Sequence, residues 1–393
     1  MRNTTWKIKT SNQNKSIMLN NFPIDQDILK ILHSRGIVSK KDIINFLDPS
    51  LDNIQPSSLL SDMKKSVDLI IECINNGKNI WIYGDYDVDG ITSTSILYLA
   101  LKDLGAEFLN YYIPIRDEGY GLNNTALKTI KNSGADLLIT VDCGITSFKE
   151  IEFAKSIGLD VIITDHHDIQ SDKIPNAYSI INPKRTDNAF TFNALAGVGV
   201  AFMLILNLYE KLKTKEEAYV YLDLVAIGTI ADIVPLVKEN RIFAKHGLEN
   251  LLYSENKGLR FLITKLFETA KLEFTTYDVG FVIAPVFNAA GRLKDAKMVV
   301  KLLTSDNDRE IEVISKELIN KNFERRELQT TLVELVEANI QKNNLNDNLV
   351  IVDASSEYHH GIIGIIASKV VDAHYKPAII MEIKEDEGVA VAS

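Results

Sequence analysis

The chain has 393 residues and a mass of 44.0 kDa, enough for two or three domains at ~150 residues each. Its 46% hydrophobic and 24% charged residues are those of a globular protein, and they exclude a disordered or fibrous one. The formal charge of −10 lacks the basic footprint of a polyanion binder and disfavours an anionic membrane surface, although a net charge does not say where the acids sit.

Residues 1–65 read as a helical and irregular lead-in, punctuated by Arg35-Gly36 and Pro49-Ser50, with Ile43, Ile44, Phe46 and Leu47 offering a small apolar face. Met1 to Trp6 contain no apolar signal segment. From Lys78 the pattern changes. Short apolar runs at 79–83, 108–113, 136–142, 160–164 and 178–181 alternate with helical stretches at 91–104, 122–132 and 148–157. Continuous apolar strands separated by helices predict an α/β fold, a doubly wound and mostly parallel sheet over 66–235. From 236 to 345 the pattern is mostly helical. Within it 308–342 has no Pro or Gly, and Ile311, Ile314 and Leu318, then Leu328, Leu332 and Leu335, keep helical spacing. One long helix joining two domains is expected there.

Residues 346–393 read as a partial second α/β domain: a strand at 349–353, a helix opening at Gly361 and a strand at 378–383. The last residues, Gly388 to Ser393, have the small and β-branched character of a strand in progress, so a chain cut short inside this domain is expected. Two cysteines, Cys73 and Cys143, make no disulfide framework and point to a reducing compartment. No run of ~18 apolar residues is present. A cytoplasmic protein is expected.

Chemistry concentrates in four clusters, each after an apolar run and each read as a strand end. They are Asp85-Tyr86-Asp87-Val88-Asp89-Gly90, Asp142-Cys143-Gly144, Asp165-His166-His167 and Ala231-Asp232-Ile233-Val234-Pro235. In an open parallel sheet, functional groups gather at the carboxyl ends of the strands. Two carboxylates at 4 Å repel by ~4 kcal/mol at an effective dielectric of 20, so convergence of five or six requires cations. Oxygen ligands with one imidazole and no thiolate pair suit Mn²⁺ or Mg²⁺ better than Zn²⁺. Two such ions ~3.5–4 Å apart are the usual arrangement for phosphoester hydrolysis. The plainer reading of one Asp at a strand end is a helix N-cap, and Asp142 before Gly-Ile-Thr fits it. A Ca²⁺ loop is excluded, because its Glu position is Ile96 here. Four clusters together favour a metal site.

Other candidates are single residues. Arg116, in a loop after a strand, is a solvated side chain or a planar fork for phosphate. Arg292 follows the small residues Ala289-Ala290-Gly291, which let backbone approach a ligand. Gly197-Val198-Gly199 opens a helix, a weak signal that tight packing explains equally well. His359 precedes a helix N-terminus, which favours an anion. Cys143 reads as a buried thiol without a catalytic role.

Tyr83-Gly84-Asp85-Tyr86-Asp87-Val88-Asp89-Gly90-Ile91-Thr92-Ser93, followed by Asp165-His166-His167, resembles the DHH phosphoesterase superfamily. Ser34-Arg35-Gly36-Ile37, Arg116 to Gly121, Leu195 to Phe202, Ala231 to Leu236, Asn288 to Leu293 and His359 to Ser368 are similar, in the same order, to its branch of single-stranded-DNA-specific exonucleases. The resemblance implies a 5′→3′ exonuclease acting in DNA repair and recombination with two divalent ions, Mn²⁺ or Mg²⁺. It implies Asp85, Asp87, Asp89, Asp142, His166 and Asp232 as metal ligands. Asp85 enters because Tyr83 stands where smaller phosphatases of the superfamily carry a ligand His. It implies catalytic roles for His167 and Asp165, and phosphate contacts for Arg116, Arg292 and His359. The partners it implies are single-stranded DNA and a single-strand-binding protein or helicase. A Gly-Gly-His motif and an OB-fold of that branch are not in this chain, which implies truncation after a complete catalytic domain and weaker hold on DNA. The alternative is a DHH phosphodiesterase acting on oligoribonucleotides or cyclic dinucleotides. A catalytically dead scaffold has no need of a complete ligand set.

Overall fold

The computed structural model describes residues 24–170, 173–293 and 295–393. The start of the expected lead-in, 1–23, lies outside the described residues. The rest of it forms two short helices, Gln26–Ser34 and Lys40–Leu47, capped by the side chains of Asp25 and Ser39. They bury Leu29, Leu32 and Ile43 against each other.

Five strands follow: β1 Ile80–Tyr83, β2 Leu109–Tyr112, β3 Leu137–Val141, β4 Asp160–Thr164 and β5 Ser179–Ile181. All pair in parallel, in the order β2-β1-β3-β4-β5. The central strands are buried on both faces, which is why β3 reads Leu-Leu-Ile-Thr-Val without polar alternation. Helices Asn124–Asn132 and Phe148–Ser156 cover one face through Leu127, Ile130 and Ile151. Helices Met63–Asn75, Val88–Asp103 and Gly197–Leu212 cover the other. The sheet starts at β1, one strand in from the edge, steps outward to β2, then crosses back to the central β3. The reversal between β1 and β3 opens a crevice at their carboxyl ends.

One expected strand end is a helix end. The apolar residues before Asp232 form helix Leu222–Ala231, packed between Val88–Asp103 and Lys238–Asn250. A helix surrounded in this way is hydrophobic all round, and a short continuous apolar run does not distinguish it from a buried strand. The core on this face of the sheet runs on to Val299, Ile311 and Leu318, so the helices after Pro235 pack into it.

The long helix spans Asp308–Lys342, 35 residues and ~52 Å at 1.5 Å per residue. Its first half inserts Ile311, Ile314 and Leu318 into the core of the sheet. Its second half puts Leu332, Val336 and Ile340 into a separate core with Ile351, Ile362, Ile366 and Ile380. That second core belongs to β6 Ile351–Ser355, β7 Ala378–Lys384, β8 Val389–Ala392 and helix His360–His374. β6 and β7 are parallel, and β8 adds to β7 antiparallel. Among the described residues no helix is long and apolar enough to cross a membrane.

Helices Leu222–Ala231 and Lys238–Asn250 pack tightly at Gly247, where a Cβ would lie 2.1 Å from the Leu222 carbonyl oxygen. Backbone cannot move aside as a side chain can. Gly247→Ala is therefore expected to destabilise the protein by about 1–3 kcal/mol, the usual cost of overpacking. Urea unfolding measures this, and an unchanged midpoint would contradict the packing described.

Candidate metal centre

Three turns bring acids to the crevice. After β1, Asp85 and Asp87 follow the strand, and Asp87 caps helix Val88–Asp103 by accepting from Gly90 N at 3.0 Å. Asp89 lies in the first turn of that helix and is buried. After β3, Asp142 takes a left-handed backbone (φ 60°), which Asp tolerates better than most residues. It is not an N-cap, since the next helix begins at Phe148. Asp232 ends helix Leu222–Ala231 and is followed by Ile233, an 87% exposed β-branched residue also at positive φ (62°). Such strain is found where a neighbouring group must be held for function.

The side chains form overlapping groups whose ligand atoms lie within 4.8 Å of one another: Asp85, Asp87 and Asp142; Asp89, His166 and Asp232; and Asp142, His166 and His167. Asp142 and His166 link them, with Asp142 Oδ1 3.1 Å from His166 Nε2. His166 Nε2 is 3.8 Å from Asp89 Oδ2, and its Nδ1 is 3.8 Å from Asp232 Oδ2. Tyr83 is no ligand, because its hydroxyl donates to the Gly121 carbonyl at 2.9 Å.

Burial of so many carboxylates raises their pKa values. Asp85 is pushed up to about 7 by burial and then by Asp87, and Asp232 to about 6 for the same two reasons. Asp89 and Asp142 are raised too, by burial first and by neighbouring carboxylates second. His166 is lowered to about 4, chiefly by burial, so its ring is neutral and ready to ligate. Asp89 alone of these acids has strong internal compensation. It accepts from Gly197 N at 2.6 Å and Val198 N at 2.7 Å, at the amino end of helix Gly197–Leu212. A Cβ on Gly197 would lie 2.6 Å from Asp142 Oδ1, so this glycine lets the helix end meet both acids. By contrast, Asp85 Oδ1 and Asp142 Oδ1 are buried with no hydrogen-bond partner. Orphaned acceptors beside an imidazole fit hard divalent cations of the Mn²⁺ or Mg²⁺ type.

Asp165 is placed differently. Its Oδ1 accepts from His166 N (2.7 Å), His167 N (3.0 Å) and His167 Nδ1 (2.7 Å), and its Oδ2 accepts from Ile145 N (2.9 Å). Burial would raise its pKa, but the His167 hydrogen bond and charge outweigh it and hold the carboxyl low. His167 is raised in turn by that same hydrogen bond.

Arg116 and Arg292 line the cleft with Asp85, Asp87, Asp89 and Asp232, in a volume of about 380 Å³. Arg116 donates to the Gly291 carbonyl at 3.1 Å and lies 4.5 Å from the Tyr86 ring centroid. Arg292 donates to the Gly361 carbonyl at 2.8 Å. Its pKa falls to about 10 through burial and then through Arg116. His359 is not on the cleft wall; it caps helix His360–His374, its Nδ1 accepting from Gly361 N at 3.1 Å, one residue from the helix start and beside the carbonyl that Arg292 binds. Sequence reasoning missed Tyr120, whose hydroxyl donates to the Asp142 carbonyl at 3.3 Å and lies 3.1 Å from His167 Nδ1. Its signal was its place in the Arg116 loop. A second cleft of about 650 Å³ meets the cluster at His166 from the Lys184 side.

A parallel sheet with three overlapping groups of potential cation ligands at its switch point defines the class. A family model for the DHH family, N-terminal domain, matches residues 79–229. The single-stranded-DNA-specific exonuclease RecJ of Bacillus subtilis (strain 168) is 38% identical over 390 residues, 99% of this chain and 48% of that protein. RecJ of Escherichia coli (strain K12) is 35% identical, over 89% of this chain and 62% of that protein. The chain thus spans between about half and two thirds of the length of these relatives. A crystal structure of exonuclease RecJ bound to manganese matches with a TM-score of 0.72 and 33% identity, covering 82% of this chain and 80% of that one. RecJ of Thermus thermophilus in complex with Mn²⁺ matches with a TM-score of 0.75 and 32% identity, over 89% of this chain and 49% of that one. The chain belongs to the DHH family, and within it to the RecJ branch.

The raised carboxylates set the sign of a pH effect. An acid whose folded pKa lies above its ordinary 3.8 favours the fold while protonated, and that contribution is lost as pH rises through the folded value. In EDTA the urea midpoint is expected to fall as pH rises from about 5 to about 8, with Mn²⁺ restoring it. Asp142→Asn, which removes one charge and keeps the shape, is expected to raise the midpoint of the metal-free protein. A lowered midpoint would mean that Asp142 is structural.

Proposed function

We propose that this chain is a metal-dependent exonuclease that hydrolyses phosphodiester bonds of single-stranded DNA from the 5′ end. The observation that carries the reading is the linkage of two cation-ligand groups through Asp142 and His166, beside two arginines without carboxylate partners among the described residues. Asp85, Asp87 and Asp142 would hold one Mn²⁺ or Mg²⁺, and Asp89, His166 and Asp232 the other. When bound, the ions supply an activated water and charge stabilisation at the phosphoryl oxygens.

The remaining residues bind and orient. His167, half exposed beside His166, donates to the scissile phosphate or passes a proton to the leaving oxygen. Asp165 is a positioning residue, since its two oxygens are taken up by Ile145 N, two backbone N–H groups and the His167 ring. Arg116 and Arg292 present planar forks to strand phosphates, and His359, at the helix end, would add a contact to an anion there. The expected protein partners, a single-strand-binding protein or helicase, rest on the resemblance alone. A cytoplasmic location agrees with two free, buried cysteines. The limits expected from the sequence, 66–235 for the catalytic unit and 346–393 for the second, are proposed as the two units, with the helices of 236–345 packed on the first and joining it to the second.

A 5′-labelled single strand with Mn²⁺ is expected to be shortened to mononucleotides. Cleavage confined to two- to five-mers would favour the short-substrate phosphodiesterase instead. Asp142→Asn is expected to abolish turnover while the fold persists by circular dichroism. The Arg116→Ala, Arg292→Ala pair is expected to raise KM and lower the salt slope of binding by about 0.7 per lost phosphate contact. An unchanged slope would remove the arginines from the DNA path.

A further inference from the structure

The arginine cleft and the Lys184 cleft lie on different sides of one cluster. Asp232 lines the first, His166 lines the second, and the two side chains approach to 3.8 Å. The arginine cleft accounts for phosphates on one side of the scissile bond. Nothing assigned so far accounts for the strand on the other side. The Lys184 cleft has the larger volume, about 650 Å³, and pairs an apolar wall (Leu195, Val234, Pro235) with polar residues. Its two strand-facing candidates differ in commitment. Arg185 is fully engaged, by Asp62 at 2.7 Å, Asp187 at 2.6 Å and the Ile180 carbonyl at 2.6 Å. Among the described residues the Lys184 ammonium has only Asp168, at 2.8 Å, and that carboxylate is 90% exposed. An exposed pair of this kind is readily exchanged for another anion. Lys184 also lies within Coulombic reach of the cluster: burial dominates the shifts at His166 and Asp232, and the Lys184 charge is a smaller contribution to both.

We infer that this second cleft is a strand-binding subsite in which Lys184 holds the first phosphate beyond the scissile one and the Val234 and Pro235 wall carries the adjoining nucleoside. The ligand class is a polynucleotide with at least one phosphodiester past the cleaved bond. The inference rests on the exonuclease reading above for its strand direction.

The test uses 5′-phosphorylated thymidine di- and trinucleotides. A dinucleotide ends in a nucleoside just past the scissile phosphate; a trinucleotide adds one phosphate there. Lys184→Gln is expected to lower the trinucleotide-to-dinucleotide ratio of kcat/KM about tenfold, the loss of one charge-assisted contact. Lys184→Arg is expected to keep the ratio. The same ratio is read without turnover, by calorimetric titration of both oligonucleotides into metal-free protein. An unchanged ratio overturns the inference, whether both affinities fall together or neither moves. Inactivity of the unaltered protein on both substrates would instead overturn the exonuclease reading, and the binding ratio would still decide the subsite.

Discussion

Buried like charge governs this molecule. Asp85, Asp87, Asp89 and Asp142 follow β1 and β3, neighbouring strands at the point where the winding of the sheet reverses, so the fold forces their carboxylates into one crevice. Hydrophobic burial around the sheet provides the stability against which that repulsion stands. The protein relieves the repulsion unevenly. Asp89 is neutralised from within by the amino end of helix Gly197–Leu212, whereas Asp85 and Asp142 each keep an orphaned oxygen. Leaving buried acceptors without donors is destabilising, and it makes sense where a cation completes the site.

The same economy appears in the division between acids that face the crevice and the one that does not. Asp165 neighbours His166 and His167 in sequence, yet its oxygens are saturated by backbone N–H groups and the His167 ring. It fixes the ring, and its hydrogen bond, with its charge behind it, keeps His167 protonated to higher pH. A neutral His166 that can ligate and a His167 that can carry a proton therefore stand side by side, separated in role by burial and by one hydrogen bond.

The long helix Asp308–Lys342 is the second constraint. Because it is embedded in the core of the sheet at one end and in the core of β6 to β8 at the other, it fixes the two units together. Arg292 then reaches the Gly361 carbonyl across the gap, and Arg116 reaches Gly291. The arginines are thereby held over the acids by neutral carbonyls, and their charge stays available to an anion. This local arrangement reconciles a net charge of −10 with the proposed nucleic-acid substrate: the overall charge concerns solubility, and the cleft concerns the ligand.

Much of this was legible in the order of residues. Apolar runs without alternation reported a parallel sheet because strands buried on both faces need no polar side, and the acids after those runs marked the carboxyl ends where a crevice must form. The Gly- and Pro-free stretch at 308–342 reported one helix, because nothing in it breaks the i to i−4 ladder. What the sequence could not decide was anything set by neighbours distant along the chain. The residues before Asp232 are a helix because helices on both sides bury them, and an apolar run looks the same in either state. Asp165 and Asp142 are both acids after strands, but only the folded chain brings Ile145 N and His167 to one and leaves the other with a buried oxygen that accepts no hydrogen bond. Tyr120 had only its place in the Arg116 loop and Lys184 no signature at all; the folded chain sets one against His167 and the other in a cleft beside His166. Local chemistry determined which groups are present and where the strands end, and tertiary packing determined which of those groups remain unsatisfied and so free to act.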